Sequence, residues 1–450
     1  MHKSLYIKTC AIRCNMVDFD KFIDDIDTNN LIIPFGRITH ISSTTIKAVG
    51  IEVAVGDIVK IESEQHLYTV LGMVASVESN GFKIVPFSFI EGFRIHDKVF
   101  LQKDGLSVKS GYGLLGRVVN ALGEPIDKKG KIGDLEQNSA INKLSIPALE
   151  RGIIDERFST GVKSIDSMLT SGKGQKVGIF AGSGVGKSTL MGMIVKGCEA
   201  QIKVVALIGE RGREIPEFIH YNLNNNLENT IIIAATSDES ALMRKYGAFT
   251  AMAIAEFFRD KGHDVLLMMD SVTRFAMAQR EIGLSIGEPP VSRGYPPSVF
   301  ALLPQLMERA GNTQLGSITA FFTVLVDGDD MNDPIADQSR SILDGHIVLT
   351  RELTEQGQYP PIDLLRSASR VMDKVVSPEH YNGFLKLKRV LSLIKENEIL
   401  IRVGAYKQGM DKELDEALAK REKIKSFLFQ GTAEKHDFNQ IFSQFMEVIK

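Results

Sequence analysis

The sequence predicts a multidomain protein with a small N-terminal β-barrel, a central α/β core built on a parallel sheet, and a C-terminal α-helical domain. Three observations predict this fold class. Short β-rich runs separated by Gly, Asn and acidic turns fill residues 31–106, and apolar runs alternate with helix-length segments over residues 146–377. Amphipathic helical periodicity without strand signals then occupies residues 378–450.

The N-terminal part has three sections. Residues 1–30 carry the acidic stretch DFDKFIDDID, for which a short amphipathic helix and a solvated, disordered end both fit. For residues 31–106 we favour a rigid oligomerisation or spacer element over a ligand-binding barrel. Residues 107–145 contain GRVVNALGEPIDKKGKIG, whose Gly, Lys and Pro content is typical of turns and a linker.

The central part has the pattern of buried parallel strands joined by crossover helices. Its predicted strands are VGIF, KVVALIG, TIIIAA, DVLLMM and SITAFFTVLV, and ESALMRKYGAFTAMAIAEFFRDKG is a helix-length segment. After about residue 377 the strand signals stop. Residues 385–395, 412–427 and 438–449 then predict amphipathic helices with charged outer faces.

The charge balance indicates no bulk attraction to nucleic acid or to an anionic membrane, since 53 Lys and Arg face 56 Asp and Glu, giving a net charge of −3. Cys10, Cys14 and Cys198 are too few and too scattered for a disulfide framework, which fits a reducing cytosol. We find no apolar stretch typical of a secretory signal or a membrane span, so a cytoplasmic location is expected.

A glycine-rich segment connects the predicted strand VGIF to a helical run. It consists of Ala181, Gly182, Ser183, Gly184, Val185, Gly186, Lys187, Ser188 and Thr189. Small residues let successive backbone N–H groups wrap phosphate oxygens, and the helix directs its positive end at them, while Lys187 and Ser188 reach phosphate and Mg²⁺. The segment is therefore a P-loop, with Ala181 in place of the usual first glycine.

An acidic residue ends a second buried strand, VLLMM, at Asp270. A carboxylate at this end of a strand next to a P-loop can hold the water shell of Mg²⁺. The alternative is a helix cap, and with Ser271 and Thr273 following, the two roles can coexist. Pairing with the P-loop favours the metal role.

Four charged residues follow the buried strand KVVALIG, at Glu210, Arg211, Arg213 and Glu214. Such charges at the end of a buried strand need either solvent or a ligand of matching charge. We predict that Glu210 orients and polarises the attacking water, that Arg211 faces the phosphates, and that Glu214 touches magnesium-bound water. A solvated loop is the alternative.

A loop near the end of the core, YPPIDLLRSASR, contains two arginines, Arg366 and Arg370. A lone arginine there would ordinarily form a surface ion pair. In a ring ATPase, however, one such residue can reach the neighbour's nucleotide, where an arginine finger contributes about 10³ to 10⁵ in rate. Tyr359, at the start of the loop, can offer its ring face to adenine.

These motifs together resemble the catalytic subunits of rotary ATP synthases and, more closely, the type III secretion ATPases. The resemblance covers nearly the whole chain and rests on AGSGVGKST, GERGRE, LLMMDSVTRFAMAQREIGL and PPIDLLRSAS. Three further segments look like the protein-export branch: GEPPVSRGYPPSVFALLPQLMERAG, VDGDDMNDPIADQSRSILDGHIVL and LIRVGAYKQGMDKELDEAL. The resemblance implies a RecA-like P-loop ATPase core.

The resemblance also implies a role for each matching residue. Around the phosphates these are the catalytic glutamate Glu210, its companions Arg211 and Glu214, the Walker B aspartate Asp270, and Arg274. Arg370 matches the arginine finger and Tyr359 the aromatic residue against adenine, whereas Arg366 matches no motif position. A second aromatic residue at adenine is expected from the C-terminal domain, with three candidates, Phe427, Phe429 and Phe438.

Because the glutamate and the finger arginine are encoded in one chain, a homohexamer could place a complete site at every interface. The expected function is MgATP hydrolysis that drives release of chaperones and delivery of export substrates at the membrane gate, in flagellar export or, less favoured, in a virulence system. By resemblance, residues 1–30 bind a stator-like regulatory protein. Residues 291–309 either line the ring's pore or form an ordinary interface loop.

Two rival functions remain open. A hexameric nucleic-acid translocase would need basic residues interleaved with aromatic stacking platforms on the barrel, where this sequence has mostly aliphatic strands and mixed charge. A non-enzymatic subunit that binds nucleotide structurally would need Lys187 but would have no use for Glu210 and Arg370. No nucleic-acid partner is therefore expected.

Overall fold

The computed structural model describes residues 33–63, 68–326 and 330–450. The predicted regulatory segment, residues 1–30, lies outside them, as do Cys10 and Cys14. Within the described ranges, no helix combines the length and the apolar character that a membrane crossing requires. The β-barrel, the α/β core with its parallel sheet and the C-terminal helices are all present, which confirms the predicted fold class.

The N-terminal strands close into a barrel in the order β1-β2-β5-β4-β3-β6. The strands are β1 (Phe35–Ile41), β2 (Ile46–Val49), β3 (Ile58–Glu62), β4 (Thr69–Glu78), β5 (Gly81–Pro86) and β6 (Lys98–Gln102). Alternation places side chains such as Ile38, Ile61 and Val99 in the barrel core. Gly81 has a φ of 132°, and a Cβ there would lie 2.5 Å from the Ala48 carbonyl oxygen, so closure of the barrel requires glycine.

The segment predicted as a linker, residues 107–145, contains strands that the sequence analysis overlooked. They are β7 (Ser107–Ser110), β8 (Val118–Val119) and β9 (Gln137–Ala140). β7 pairs with β9, and β8 adds to the central sheet beside a core strand. These strands have only two to four residues and are flanked by glycine turns, so they lack the length that makes a periodicity readable.

The strands of the core region are β10 (Arg157–Phe158), β11 (Ser171–Gly172), β12 (Lys176–Ala181), β13 (Ile202–Ile208), β14 (Thr230–Ala235), β15 (Asp264–Asp270), β16 (Gly311–Asn312), β17 (Ser317–Leu325), β18 (Gly345–Val348) and β19 (Ala368–Ser369). The core sheet has the strand order β19-β18-β12-β17-β15-β13-β14-β8, with β16 paired to β17, while β10 and β11 form a separate two-stranded sheet. From β18 to β8 the neighbouring strands are parallel, whereas β19 is antiparallel to β18. The carboxyl ends of the parallel strands therefore share one edge.

Helices cover the sheet and bury its apolar strands. In the core they are α1 (Lys163–Met168), α2 (Lys187–Gly197), α3 (Glu214–Glu217), α4 (Ala241–Asp260), α5 (Val272–Ile286), α6 (Pro297–Met307), α7 (Pro334–Ile342), α8 (Arg351–Glu355) and α9 (Met372–Val375). Beyond α6, the fully buried Arg309 forms a bidentate pair with Glu256 of α4 at 2.9 and 2.8 Å and donates to the Ile141 carbonyl at 2.7 Å. This network joins α4 and the end of α6 to the segment that follows the barrel.

The C-terminal part is helical, with α10 (Pro378–Glu396), α11 (Glu398–Arg402), α12 (Lys412–Leu428) and α13 (Phe438–Ile449). α13 begins with a capping box between Asp437 and Gln440, which satisfies its first backbone N–H groups. His380 of α10 hydrogen-bonds the Ser167 carbonyl of α1 at 2.8 Å, and Gln430 accepts a hydrogen bond from the Lys163 N–H at 2.8 Å. These contacts fix the C-terminal part against α1 of the core.

Candidate functional site

A cavity of about 560 Å³ opens at the carboxyl edge of the sheet, where β12, β13, β15 and β17 end. Most of the predicted site residues line this cavity: Gly182, Ser183, Gly184, Gly186, Lys187, Ser188, Thr189, Glu210, Arg211, Glu214, Asp270 and Arg274. Val185, Tyr359 and Arg370 lie elsewhere. The parallel strands bring these motifs together because each motif follows a strand at the shared edge.

The P-loop is shaped by two glycines in the left-handed region, Gly184 with a φ of 76° and Gly186 with a φ of 97°. α2 begins directly after it without a side-chain cap, so the N–H groups of its first turn remain available to an anion. Val185 is buried beneath the loop, and its carbonyl accepts a hydrogen bond from Thr354 at 3.3 Å. The P-loop is thereby held by Thr354, while the backbone N–H groups at the start of α2 remain open to the cavity.

A second contact from α8 holds the P-loop. Arg351 donates a hydrogen bond to the Ser183 carbonyl at 3.1 Å, and Asn222 donates to the Ser188 carbonyl at 3.1 Å. The sequence analysis missed these supporting residues, because both contacts join side chains to backbone atoms far away along the chain. Other residues that it missed line the cavity: Leu207, Gly209, Glu217, Phe218, Asn222, Ser237 and Leu325.

The centre of the cavity contains one cation between two carboxylates. Lys187 pairs with Asp270, and its Nζ lies 3.6 Å from Glu210 Oε1. The Thr323 hydroxyl donates to Asp270 Oδ1 at 2.6 Å and thereby fixes the buried carboxylate. The one sequence signal for Thr323 is its hydroxyl near the end of the apolar run SITAFFTVLV.

The electrostatics of this centre shift two pKa values. Burial opposes the charge on Lys187, but the carboxylates of Asp270 and Glu210 outweigh it and raise the pKa of the lysine above its ordinary value. Burial, and then repulsion from Asp270, raise the pKa of Glu210 to about 7, although Lys187 acts in the opposite direction. Glu210 therefore changes protonation near neutral pH, as a general base should.

Two buried polar atoms in this cavity have no hydrogen-bond partner among the described residues: Oε1 of Glu210 and Nε of Arg274. Lys187 Nζ, at 3.6 Å, lies just beyond hydrogen-bond distance of the Glu210 oxygen. This carboxylate oxygen can therefore accept from a water molecule, and the guanidinium N–H can donate to a phosphate oxygen. Gly209, with a φ of 70°, lets β13 approach Arg274, since a Cβ there would lie 2.7 Å from the arginine Cβ. The cavity is thus suited to a phosphate with a water beside it.

A magnesium ion also fits the donor set. The described ranges contain no cluster of three His, Cys, Asp or Glu residues that would form a metal cage. Mg²⁺ at nucleotide sites needs none, since it keeps several waters and takes phosphate oxygens and one or two protein ligands. Ser188 is exposed at the start of α2, while Asp270 and Glu214 line the same cavity.

The charged residues at the rim are more open than those at the centre. Arg211 is exposed, and its Nε lies 3.9 Å from Oε1 of Glu214. An exposed pair at that distance is weak, so both side chains remain free to rearrange. Arg211 therefore has the reach to meet a bound anion.

Tyr359 is half-buried and does not line the cavity, but Pro361 of the same loop lies beside the P-loop, since a Cβ at Gly186 would be 3.7 Å from its Cγ. The Tyr359 carbonyl accepts a hydrogen bond from the Gln430 N–H at 2.8 Å. This contact brings Phe429, which is 47% exposed, to the same place. The other two candidates lie elsewhere, because Phe427 is buried in the core and Phe438 stacks under Arg157 at 4.3 Å.

Arg370 follows the edge strand β19 and is exposed outside the cavity of its own subunit. Its backbone N–H donates to the Asp344 carbonyl at 3.0 Å, and its guanidinium donates to the Arg340 carbonyl at 3.4 Å. The structure therefore does not bring Arg370 together with Lys187 within one chain. Arg366, to which no role was assigned, is also exposed.

Two sections of the chain match known families. Residues 161–369 match the nucleotide-binding domain of the ATP synthase alpha/beta family, and residues 376–447 match the T3SS EscN ATPase C-terminal domain. The flagellum-specific ATP synthase of Helicobacter pylori strain J99 is 57% identical over 92% of this chain and 96% of its own length. This similarity extends over the barrel, the core and the C-terminal helices.

Solved structures agree with this relationship. The assembled ATPase EscN from the enteropathogenic E. coli type III secretion system is 43% identical, with a TM-score of 0.88 over 92% of this chain and all of that one. EscN in complex with its central stalk EscO is also 43% identical, with a TM-score of 0.85 over the same share of each chain. The chain therefore belongs to the ATP synthase alpha/beta family, as a P-loop ATPase of the group that contains the flagellum-specific ATP synthases and the type III secretion ATPases.

Proposed function

We propose that this chain hydrolyses MgATP at the interfaces of a homohexameric ring and that turnover drives protein export by a flagellar type III system. One observation carries the proposal. The cavity holds a P-loop and a carboxylate poised near neutral pH, whereas Arg370 is exposed outside it. A site that has a P-loop and a general base but no arginine finger becomes complete when a second copy of the chain supplies the guanidinium.

The P-loop binds the triphosphate through the backbone N–H groups of its glycine turns and of the first turn of α2. Lys187 exchanges its contact with Asp270 for the phosphate oxygens, since a triphosphate offers a stronger counter-charge than one carboxylate. Arg274 donates its unpartnered Nε–H to the same group. Positioning of the phosphates thus precedes any proton movement.

Glu210 performs the proton chemistry. Its buried Oε1 accepts a hydrogen bond from the attacking water and aligns it with the terminal phosphorus, while Arg211 at the rim faces the phosphates. When bound, Mg²⁺ would neutralise charge on the phosphate oxygens, and the Ser188 hydroxyl and, through water, Asp270 and Glu214 are the residues that would hold it. Thr323 keeps Asp270 in place for this second role.

The neighbouring subunit completes the site. Arg370 of that subunit neutralises the charge that develops on the equatorial oxygens during transfer, which is the role of an arginine finger. The adenine base fits between Tyr359 and Phe429, since the hydrogen bond of the adjacent Gln430 holds these two residues at one place. Of the C-terminal aromatics, Phe429 is thus our choice for the second adenine contact.

We predict a pH dependence from Glu210. Because the active form is the carboxylate, kcat/KM should rise as pH increases through about 7 and then level off, whereas below this range protonation removes the base. Steady-state ATP hydrolysis between pH 5.5 and 9 measures the profile.

Glu239 provides the matched control for that profile. Burial also raises its pKa to about 7, yet it lines a different cavity between the barrel and the core. Glu239→Gln should keep the acidic limb near pH 7. A profile that is flat across neutral pH in the unmodified protein would contradict the assignment of Glu210.

Identity favours the flagellar system, since the flagellar relative from Helicobacter pylori matches more closely than EscN does. The expected location is the cytoplasmic face of the export apparatus, with export chaperones, substrates and the membrane gate as partners. A stator-like regulatory protein would bind residues 1–30.

The C-terminal surface fits a further partner. Ile399, Val403 and Met410 are exposed on and after α11, with 75%, 69% and 68% of their surfaces accessible. Apolar residues clustered in this way favour contact with another protein, and EscN binds a central stalk. Of the segment 291–309, Val291 is exposed but Arg309 is fully buried, so Arg309 is not available for a pore contact.

Ring formation predicts that ATP turnover per subunit rises with protein concentration, because a lone subunit lacks Arg370 at its site. Light scattering after gel filtration, with and without a non-hydrolysable MgATP analogue, should show a shift from small species to a homohexamer when the analogue is present. Constant turnover per subunit in solutions that contain only monomer would refute the shared site.

A further inference from the structure

A cationic patch surrounds Arg370 at the edge of the sheet. It consists of the guanidinium groups of Arg340 and Arg370 together with His346 of β18. His346 Nε2 donates a hydrogen bond to the Arg366 backbone carbonyl at 2.9 Å. Burial lowers the pKa of His346, and the charges of Arg340 and Arg370 lower it further, so both guanidinium groups lie near its ring. The charge of the patch at neutral pH is therefore carried by the arginines.

Arg340 lies in the last turn of α7 and is partly exposed. Its one ion pair in the described structure is with Asp337, at 2.8 Å, one turn earlier on the same helix. Asp337 is itself well exposed, and exposed pairs of this kind contribute little stability. The Arg340 guanidinium can therefore leave Asp337 for a stronger anion.

The backbone of Arg340, and not its side chain, holds Arg370 next to it. The Arg370 guanidinium donates to the backbone carbonyl of Arg340, one of the last carbonyls of α7, and its own N–H is held by Asp344. A cation at a helix C-terminus is favourable, but a second cation beside it is not. Two like charges on one exposed surface are stabilised when they share an anion.

We propose that Arg340 is a second arginine acting in trans, which contacts, together with Arg370, the phosphates of the nucleotide bound by the neighbouring subunit. The inference rests on the proposed function, since it requires a nucleotide at the subunit interface. It adds to that function a second guanidinium, supplied by α7 rather than by the loop that carries Arg370.

Substitution of the Arg340 side chain tests this role cleanly. Arg340→Ala keeps the backbone carbonyl that positions Arg370, so a loss of activity reports the missing guanidinium rather than a displaced finger. We expect kcat to fall at least about tenfold with a smaller change in KM, since the lost contact stabilises developing charge. Arg340→Lys should restore part of kcat, because lysine supplies the positive charge but not the planar, bidentate donor geometry of the guanidinium.

Arg366→Ala is the matched control. Arg366 is exposed on the same loop as Arg370, and its guanidinium forms no hydrogen bond or ion pair with any residue in the described ranges. Its removal should leave kcat unchanged. Equal losses in Arg340→Ala and Arg366→Ala would reduce the effect to general surface charge and overturn the proposal.

Mixed rings show in which subunit Arg340 acts. Lys187→Ala rings have no functional P-loop but keep Arg340 and Arg370. Arg340→Ala rings keep the P-loop but lack the Arg340 guanidinium. In a 1:1 mixture about one quarter of the interfaces pair an intact cavity with an intact Arg340, so activity should recover well above either parent. Arg370→Ala mixed with Lys187→Ala serves as the reference pair.

The outcomes separate the two proposals. Recovery in both mixtures supports both. Recovery with Arg370→Ala but not with Arg340→Ala would place Arg340 within its own subunit and overturn this inference alone. Failure of both mixtures, with subunit exchange verified by co-purification of differently tagged variants, would overturn the shared site itself. Full kcat in the Arg340→Ala variant would also refute the role in phosphate contact. Failure of that variant to assemble into a hexameric ring would refute it as well.

Discussion

Replacing Glu210 by Gln should reduce ATP turnover by about 10² to 10⁴, the range that a positioned general base contributes, while nucleotide binding stays nearly unchanged. Gln keeps the shape of the side chain and can still contact water, but it cannot accept a proton. It also removes one of the two carboxylates beside Lys187. The lysine then holds a single negative neighbour, Asp270, and its affinity for phosphate should rise slightly.

Two measurements separate these effects. Equilibrium binding of a fluorescent nucleotide should show an affinity equal to or above that of the unmodified protein, and single-turnover hydrolysis should show the large loss in rate. Glu239→Gln, a carboxylate with a similarly raised pKa in another cavity, should hydrolyse ATP at the normal rate. Full turnover in Glu210→Gln would remove Glu210 from the mechanism.

The sequence predicts the site well where its residues follow strands. The P-loop is one continuous segment, and Glu210 and Asp270 each follow a buried strand, so a parallel sheet must place them at one edge. This conclusion holds whatever the order of the strands in the sheet. Because each motif follows a strand, the motifs alone predict most of the residues that line the cavity.

The residues that the sequence analysis missed act through contacts that no local pattern encodes. Thr323 meets Asp270 only because β17 lies beside β15, and Arg351 reaches the Ser183 carbonyl only after α8 packs against the P-loop. The raised pKa of Glu210 likewise depends on burial and on the distance to Asp270. Neither quantity can be obtained from a motif.

The choice among the C-terminal aromatics shows a similar limit. Phe427 and Phe429 are two residues apart, yet α12 ends between them at Leu428, so one side chain packs into the core while the other points to solvent. Helix ends are uncertain by one or two residues in any prediction from periodicity. Periodicity alone therefore cannot decide whether Phe427 or Phe429 is the residue near Tyr359.

Replacing Arg370 by Ala should lower kcat by about 10³ to 10⁵, as expected for a finger that neutralises transition-state charge. The position of the side chain explains why the effect should leave binding and stability largely intact. Arg370 is exposed, and its guanidinium makes one hydrogen bond, to the Arg340 carbonyl at 3.4 Å. Its removal thus leaves no buried group unpaired, and the P-loop of the same chain is untouched.

A finger that acts across the interface has a consequence that a residue acting within its own subunit lacks. In rings made from Arg370→Ala and Lys187→Ala subunits, neither parent hydrolyses ATP well, yet each interface that joins an Arg370→Ala cavity to a Lys187→Ala neighbour is complete. Activity should therefore return on mixing, and only after subunits have exchanged between rings. Because Arg370 follows an edge strand and does not line its own cavity, a mixture that stays inactive despite exchange would leave the guanidinium without any phosphate to meet.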